Sequence, residues 1–175
     1  MEENQKKEFI ELYSFKQKKY SEIQEEMSIA RVDVQSLFEE TRDKRQEIQN
    51  IRNKFTGKRK KDFDDDFSKF YDWYEKQDQK CGYCGISQGE LYYLFREERK
   101  LPLNNAIKRS SGTLEIERKD SAGNSYNEKN IILACPLCNN AKSNLIDEGN
   151  WADFFVEPMQ KYYAKLLKED KGEDK

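Results

Sequence analysis

The chain reads as an α+β protein: a long helical N-terminal region, then a small two-stranded unit stapled by cysteines, then C-terminal helices. Three observations predict this. From Met1 to Thr56 there is neither glycine nor proline, and apolar residues recur at steps of three and four. All four cysteines fall into two Cys-x-x-Cys pairs, Cys81–Cys84 and Cys135–Cys138. Between the pairs lie two short β-type runs, an alternating one at Thr113–Glu117 and a continuously apolar one at Ile131–Ala134.

The N-terminal spacing runs through Phe9, Tyr13, Tyr20, Ile23, Met27, Ala30, Val34, Leu37, Ile48, Ile51 and Phe55. Lys16, Thr41 and Lys44 interrupt it. A repeat of this kind predicts a long amphipathic helix or helical hairpin over residues 1–61. It serves either as a coiled coil or as a helix packed on the C-terminal part of its own chain. Gly57–Lys61 is basic and is followed by Asp62 and Asp64–Asp66, which reads as a solvated junction. Phe63, Phe67, Phe70, Tyr71 and Tyr74 then fall at helical spacing, predicting a core helix that leads into the first cysteine pair.

The second segment, 62–147, continues with a helix over Gln88–Lys100, with Leu91, Leu94 and Phe95 on one face, ended at Leu101-Pro102-Leu103. Ser121–Lys129 reads as a polar loop between the two strands, and a helix is expected from about Cys138 to Leu145. The last segment, 148–175, supplies amphipathic pieces at Trp151–Phe155 and Met159–Leu167, with Pro158 placed for a first turn. Lys168–Lys175 reads as disordered.

Of the 175 residues, 35% are hydrophobic and 38% charged, which predicts a modest core and much solvated surface. Thirty-two basic residues against thirty-four acidic give a net charge of −2, which decides nothing about a nucleic-acid partner. No run approaches the roughly 18–20 apolar residues of a membrane span, and no apolar leader opens the chain. The expected setting is cytoplasmic, where disulfides are rare and paired cysteines favour a metal.

Four thiolates grouped two and two form the ligand set of a closed tetrahedral zinc site. The alternatives are free thiols or a redox pair, and redox Cys-x-x-Cys motifs normally come singly. The pairs stand about fifty residues apart, and lengthening the closed loop to that extent costs on the order of 1 kcal/mol. Structural zinc contributes about 10–16 kcal/mol of apparent binding energy. Four thiolates leave no open coordination position, so this ion is structural. The chain has no histidine, which removes the usual imidazole base from any chemistry nearby.

Leu114-Glu115-Ile116-Glu117-Arg118-Lys119-Asp120, then Asn130, then Cys135-Pro136-Leu137-Cys138-Asn139-Asn140-Ala141-Lys142 resembles the HNH endonuclease family, in particular its four-cysteine members. The resemblance covers roughly residues 81–147. It implies a ββα-metal unit in a treble-clef arrangement, a structural Zn²⁺, and a catalytic Mg²⁺ or Mn²⁺. Position by position, Glu117 takes the place of the metal-binding aspartate and Asn139 that of the second ligand. Asn130 matches the asparagine that orients the base and braces the hairpin, and Asp120 an acidic residue found in part of the family. Lys142, one turn on, is placed for a phosphate. Arg118 stands where the family has its general-base histidine. A guanidinium stays protonated and cannot accept a proton from water, and losing a general base costs roughly 10²–10⁴ in rate. Glu115, Asp120 or Tyr126 would then take the proton; Glu115 lies two residues from Glu117, on the same strand face.

The resemblance thus implies a DNA endonuclease in restriction, phage defence or mobile-element biology. Its helical arm would position the target or form a homodimer for double-strand cutting. A noncatalytic zinc module binding nucleic acid or protein, and a coiled-coil scaffold capped by zinc, are the competing classes.

Overall fold

The computed structural model describes residues 2–95 and 112–171. They form two compact units that divide between Glu75 and Lys76.

In the first unit the expected long helix is folded into short ones. Helix α1 (Glu3–Ile10) runs into a π-helical turn at Glu11–Phe15; α2 (Tyr20–Met27), α3 (Arg31–Glu40) and α4 (Arg42–Arg52) follow. The breaks are made without glycine or proline. Gln17 and Ser28 adopt left-handed backbone, with φ of 55° and 52°. Acidic side chains close the next helices, Glu22 accepting from the Lys19 N–H at 2.7 Å and Asp33 from the Ala30 N–H at 3.2 Å. At the third break the Thr41 hydroxyl donates to the Leu37 carbonyl at 2.6 Å.

Phe9, Ile23, Val34 and Leu37 of the three-and-four repeat therefore meet in one core, joined by Leu12, which lies outside the repeat, while Tyr20 and Ala30 of the repeat stay exposed. Ile48 and Ile51 are buried as well. A coiled-coil seam would need these side chains on an outer face, and they are spent inside.

The basic run forms a short helix, α5 (Gly57–Asp62), with no buried residue, so the junction is solvated as expected and helical. The aromatic helix α6 (Phe67–Glu75) is a core element as expected, but it belongs to the first unit. Phe70 lies 5.1 Å from Phe55 and 5.2 Å from Phe63, ring centroid to centroid, and those neighbours hold it there.

The second unit opens on the first cysteine pair. Helix α7 (Gln88–Leu94) starts at Ser87, whose hydroxyl accepts from the Glu90 N–H at 3.2 Å while the Glu90 carboxylate accepts from the Ser87 N–H at 2.8 Å. Leu91, Leu94 and Phe95 are buried, as the pattern predicts. The rest of the expected helix and the break at Leu101–Leu103 lie outside the described residues.

Strands β1 (Glu115–Arg118) and β2 (Ile131–Ala134) pair antiparallel, Glu115 opposite Ala134 and Arg118 opposite Ile131. Helix α8 (Pro136–Lys142) begins earlier than the expected start near Cys138 because Cys135 itself caps it: its Sγ accepts from the Cys138 N–H at 3.3 Å, with Pro136 at the first position. Helices α9 (Glu148–Phe154) and α10 (Val156–Lys171) close the unit, and Lys168–Lys171 continue the last helix where disorder was expected. They are not an appendage. Trp151 is fully buried with its ring edge-on to Tyr83 inside the first cysteine loop, and Tyr163 and Leu166 are buried too.

The same loop brings Gly82 against β2, its N–H donating to the Leu133 carbonyl at 2.8 Å. A Cβ at Gly82 would fall on the Ile132 side chain. Gly82→Ala is expected to cost about 1–3 kcal/mol in chemical denaturation, and adding Ile132→Ala to recover part of it. Full stability of the single variant would mean that this loop does not abut the strand.

Candidate metal centre and the strand–helix site

The four cysteines are buried, unpaired as disulfides, and have all their sulfurs within 4.8 Å of one another. Four sulfurs bound at about 2.3 Å to one tetrahedral ion stand about 3.8 Å apart, against about 2.05 Å in a disulfide. Cys84 Sγ and Cys135 Sγ are separated by 3.8 Å. Four buried thiolates this close would repel one another, so the cluster alone does not sustain them all. A cation at its centre lets all four ionise. The donor set fits a metal ion.

The second pair is built into the start of α8, Cys135 capping it and Cys138 in its first turn, and this sets the helix across β1. Glu115 and Glu117, two apart on the strand, reach Asn139 and Lys142, one turn apart on the helix. The Asn139 amide donates to Glu115 Oε2. Lys142 Nζ lies 3.1 Å from Glu117 Oε1 and donates at 3.1 Å to the Arg118 carbonyl. The Lys142 side chain is 0% exposed and that of Glu117 is 11% exposed. Burial pushes the Glu117 carboxyl above the ordinary carboxylate range, and the ammonium pulls it back part of the way.

Arg118 sits at the rim. Its guanidinium donates to Asn124 and, at 3.2 Å, to Asn144, and it lies 5.1 Å from the centre of the Tyr126 ring. Asn130 ties the loop between the strands: its amide donates to the Asp120 carbonyl at 2.9 Å and the Ser125 carbonyl at 2.7 Å. Its oxygen accepts from the Asp120 N–H at 2.9 Å. Asp120 uses its carboxylate in its own turn, accepting from the Ala122 N–H at 2.8 Å.

Glu115, Glu117, Arg118, Asn139 and Lys142 are thus brought together, Tyr126 joins them through Arg118, and Asn130 and Asp120 stay in the loop. The expectation for Lys142 needs correction. It does not reach out to a phosphate, because a buried carboxylate claims it. Asn124 and Asn144, which hold Arg118, carry no signal in the sequence, since polar residues in a loop and past a helix end have no periodicity.

A hard divalent cation suits the oxygen donors on this face, Glu117 and the Asn139 carboxamide oxygen, with Glu115 beside them. The Lys142 ammonium already stands on one Glu117 oxygen, so a cation there would have to share that carboxylate or displace the ammonium.

No family model matches the chain, and no curated protein matches it. A solved structure of the rare-cutting HNH restriction endonuclease PacI, described for its mechanism of DNA perturbation, is similar to 57% of this chain at 30% identity, with a TM-score of 0.44. The matched region spans 64% of that chain.

Proposed function

We propose that the second unit is an HNH-like endonuclease that hydrolyses DNA phosphodiester bonds. It has structural zinc on its four cysteines and Mg²⁺ or Mn²⁺ held by Glu117 and Asn139. The observation that carries the reading is the pairing of two strand carboxylates with one face of the helix launched by the second cysteine pair. When bound, the divalent ion lowers the pKa of a water ligand and offsets charge on the scissile phosphate.

The chain's own groups have separate tasks. Arg118, permanently charged, binds a phosphate oxygen and is aimed by Asn124, Asn144 and Tyr126. Glu115, oriented by the Asn139 amide, accepts the proton of the attacking water. Lys142 opposes the burial that favours the protonated form of Glu117. Asn130 fixes the loop that carries Asn124 and Tyr126. Restriction, phage defence or mobile-element biology, in a cytoplasmic setting, is the context proposed for such an activity.

Nicking of supercoiled plasmid with Mg²⁺ or Mn²⁺ tests this. Wild type is expected to nick, and Glu117→Gln and Asn139→Ala each to lose at least about 10²-fold in rate. Equal nicking by the variants would place the chemistry elsewhere. The ammonium already on Glu117 and the absence of histidine favour a second reading, a noncatalytic nucleic-acid-binding zinc module. Binding of DNA without any nicking by wild type selects it.

A further inference from the structure

The first unit holds a groove of about 560 Å³ between the π-helical turn, the link that follows it, the C-terminal end of α3 and one face of α4. Its lining contains no aspartate or glutamate; Lys18, Arg42 and Arg45 supply cations and Gln17, Gln46 and Gln49 supply carboxamides. Composition does not explain this, because residues 1–75 contain sixteen basic and eighteen acidic side chains. None of those carboxylates lines the groove, although Glu26 and Asp43 stand beside two of its cations.

Its inner wall is preset. The Arg45 guanidinium lies 3.4 Å from the centre of the Phe38 ring and is fixed by donating to the Phe38 carbonyl at 2.7 Å and the Thr41 hydroxyl at 3.2 Å. The outer cations lie at the surface, Lys18 paired with Glu26, and Arg42 3.3 Å from Asp43. Exposed pairs of this kind are weak and exchange readily for another anion. Gln17, Gln46 and Gln49 are exposed.

We propose that this groove binds the backbone of duplex DNA. Fixed and exchangeable cations suit phosphate oxygens, and carboxamides both donate and accept, which suits phosphates and base edges alike. An acidic peptide would use the cations and leave the three carboxamides without a selective role. The assignment rests on the endonuclease reading and gives the first unit a task within it, holding the DNA.

The experiment uses full-length protein, a fluorescently labelled duplex oligonucleotide and a salt series, with Arg42→Glu/Gln49→Glu compared with wild type. Both positions are exposed, so thermal melting is expected to stay unchanged. Affinity is expected to fall at least about tenfold. The slope of log affinity against log salt should shrink by about one for each phosphate the groove no longer neutralises. Affinity within about twofold of wild type, or displacement of DNA by polyglutamate as effectively as by unlabelled duplex, overturns the proposal. If that variant binds and nicks like wild type while Glu117→Gln does not nick, the groove assignment fails and the endonuclease reading stands. If wild type neither binds nor nicks, the endonuclease reading fails and the groove assignment falls with it.

Discussion

Lys142→Met is expected to destabilise the second unit by about 3–5 kcal/mol, because it leaves the Glu117 carboxylate buried without its counter-ion. The Arg118 carbonyl loses its donor in the same step. The effect should be non-additive: Lys142→Met combined with Glu117→Gln is expected to lie well below the sum of the two single losses. The second change removes the stranded charge that makes the first so damaging. Urea denaturation of the three variants measures it. A loss under about 1 kcal/mol for Lys142→Met would mean that water reaches the pair and that neither group is held where the site needs it.

Chelation of the proposed zinc has the largest effect. Removing the ion, or one of its ligands by Cys135→Ser, is expected to withdraw most of the roughly 10–16 kcal/mol that structural zinc contributes. At roughly 0.05–0.15 kcal/mol per residue, a unit of about 100 residues has about 5–15 kcal/mol in all, so most of its stability goes with the ion. The second unit should unfold, with loss of the near-ultraviolet signal of Trp151, which is buried beside the first cysteine loop. The first unit has its own core of Phe9, Leu12, Ile23, Val34 and Leu37, so part of the helical circular dichroism should survive. Retention of the whole spectrum after verified metal removal would show that the cysteine cluster is not a staple.

Parts of this fold are plain in the sequence because they rest on short-range rules. β2 lies where its apolar run puts it, β1 lies close to its alternating pattern, and the clustering of the cysteines follows from their spacing. The breaks in the N-terminal region are hidden for a physical reason. Gln17 and Ser28 take up left-handed backbone that single-residue propensity does not reveal, and short helices hold the same three-and-four repeat as one long helix.

In the site, the residues themselves are legible and their partnerships are not. The spacing of Glu115 from Glu117 and of Asn139 from Lys142 defines two faces, but only the crossing of helix and strand decides who meets whom. Lysines are usually solvated, so sequence alone points Lys142 outward. It turns inward because Glu117 is buried opposite it.

The measurement that bears most directly on the account is the metal content of the purified full-length protein together with zinc K-edge X-ray absorption. One zinc per chain with four sulfur neighbours at about 2.3 Å is the expected result. A chain that carries no metal when purified under reducing conditions, or a zinc with nitrogen or oxygen neighbours in place of sulfur, would contradict it.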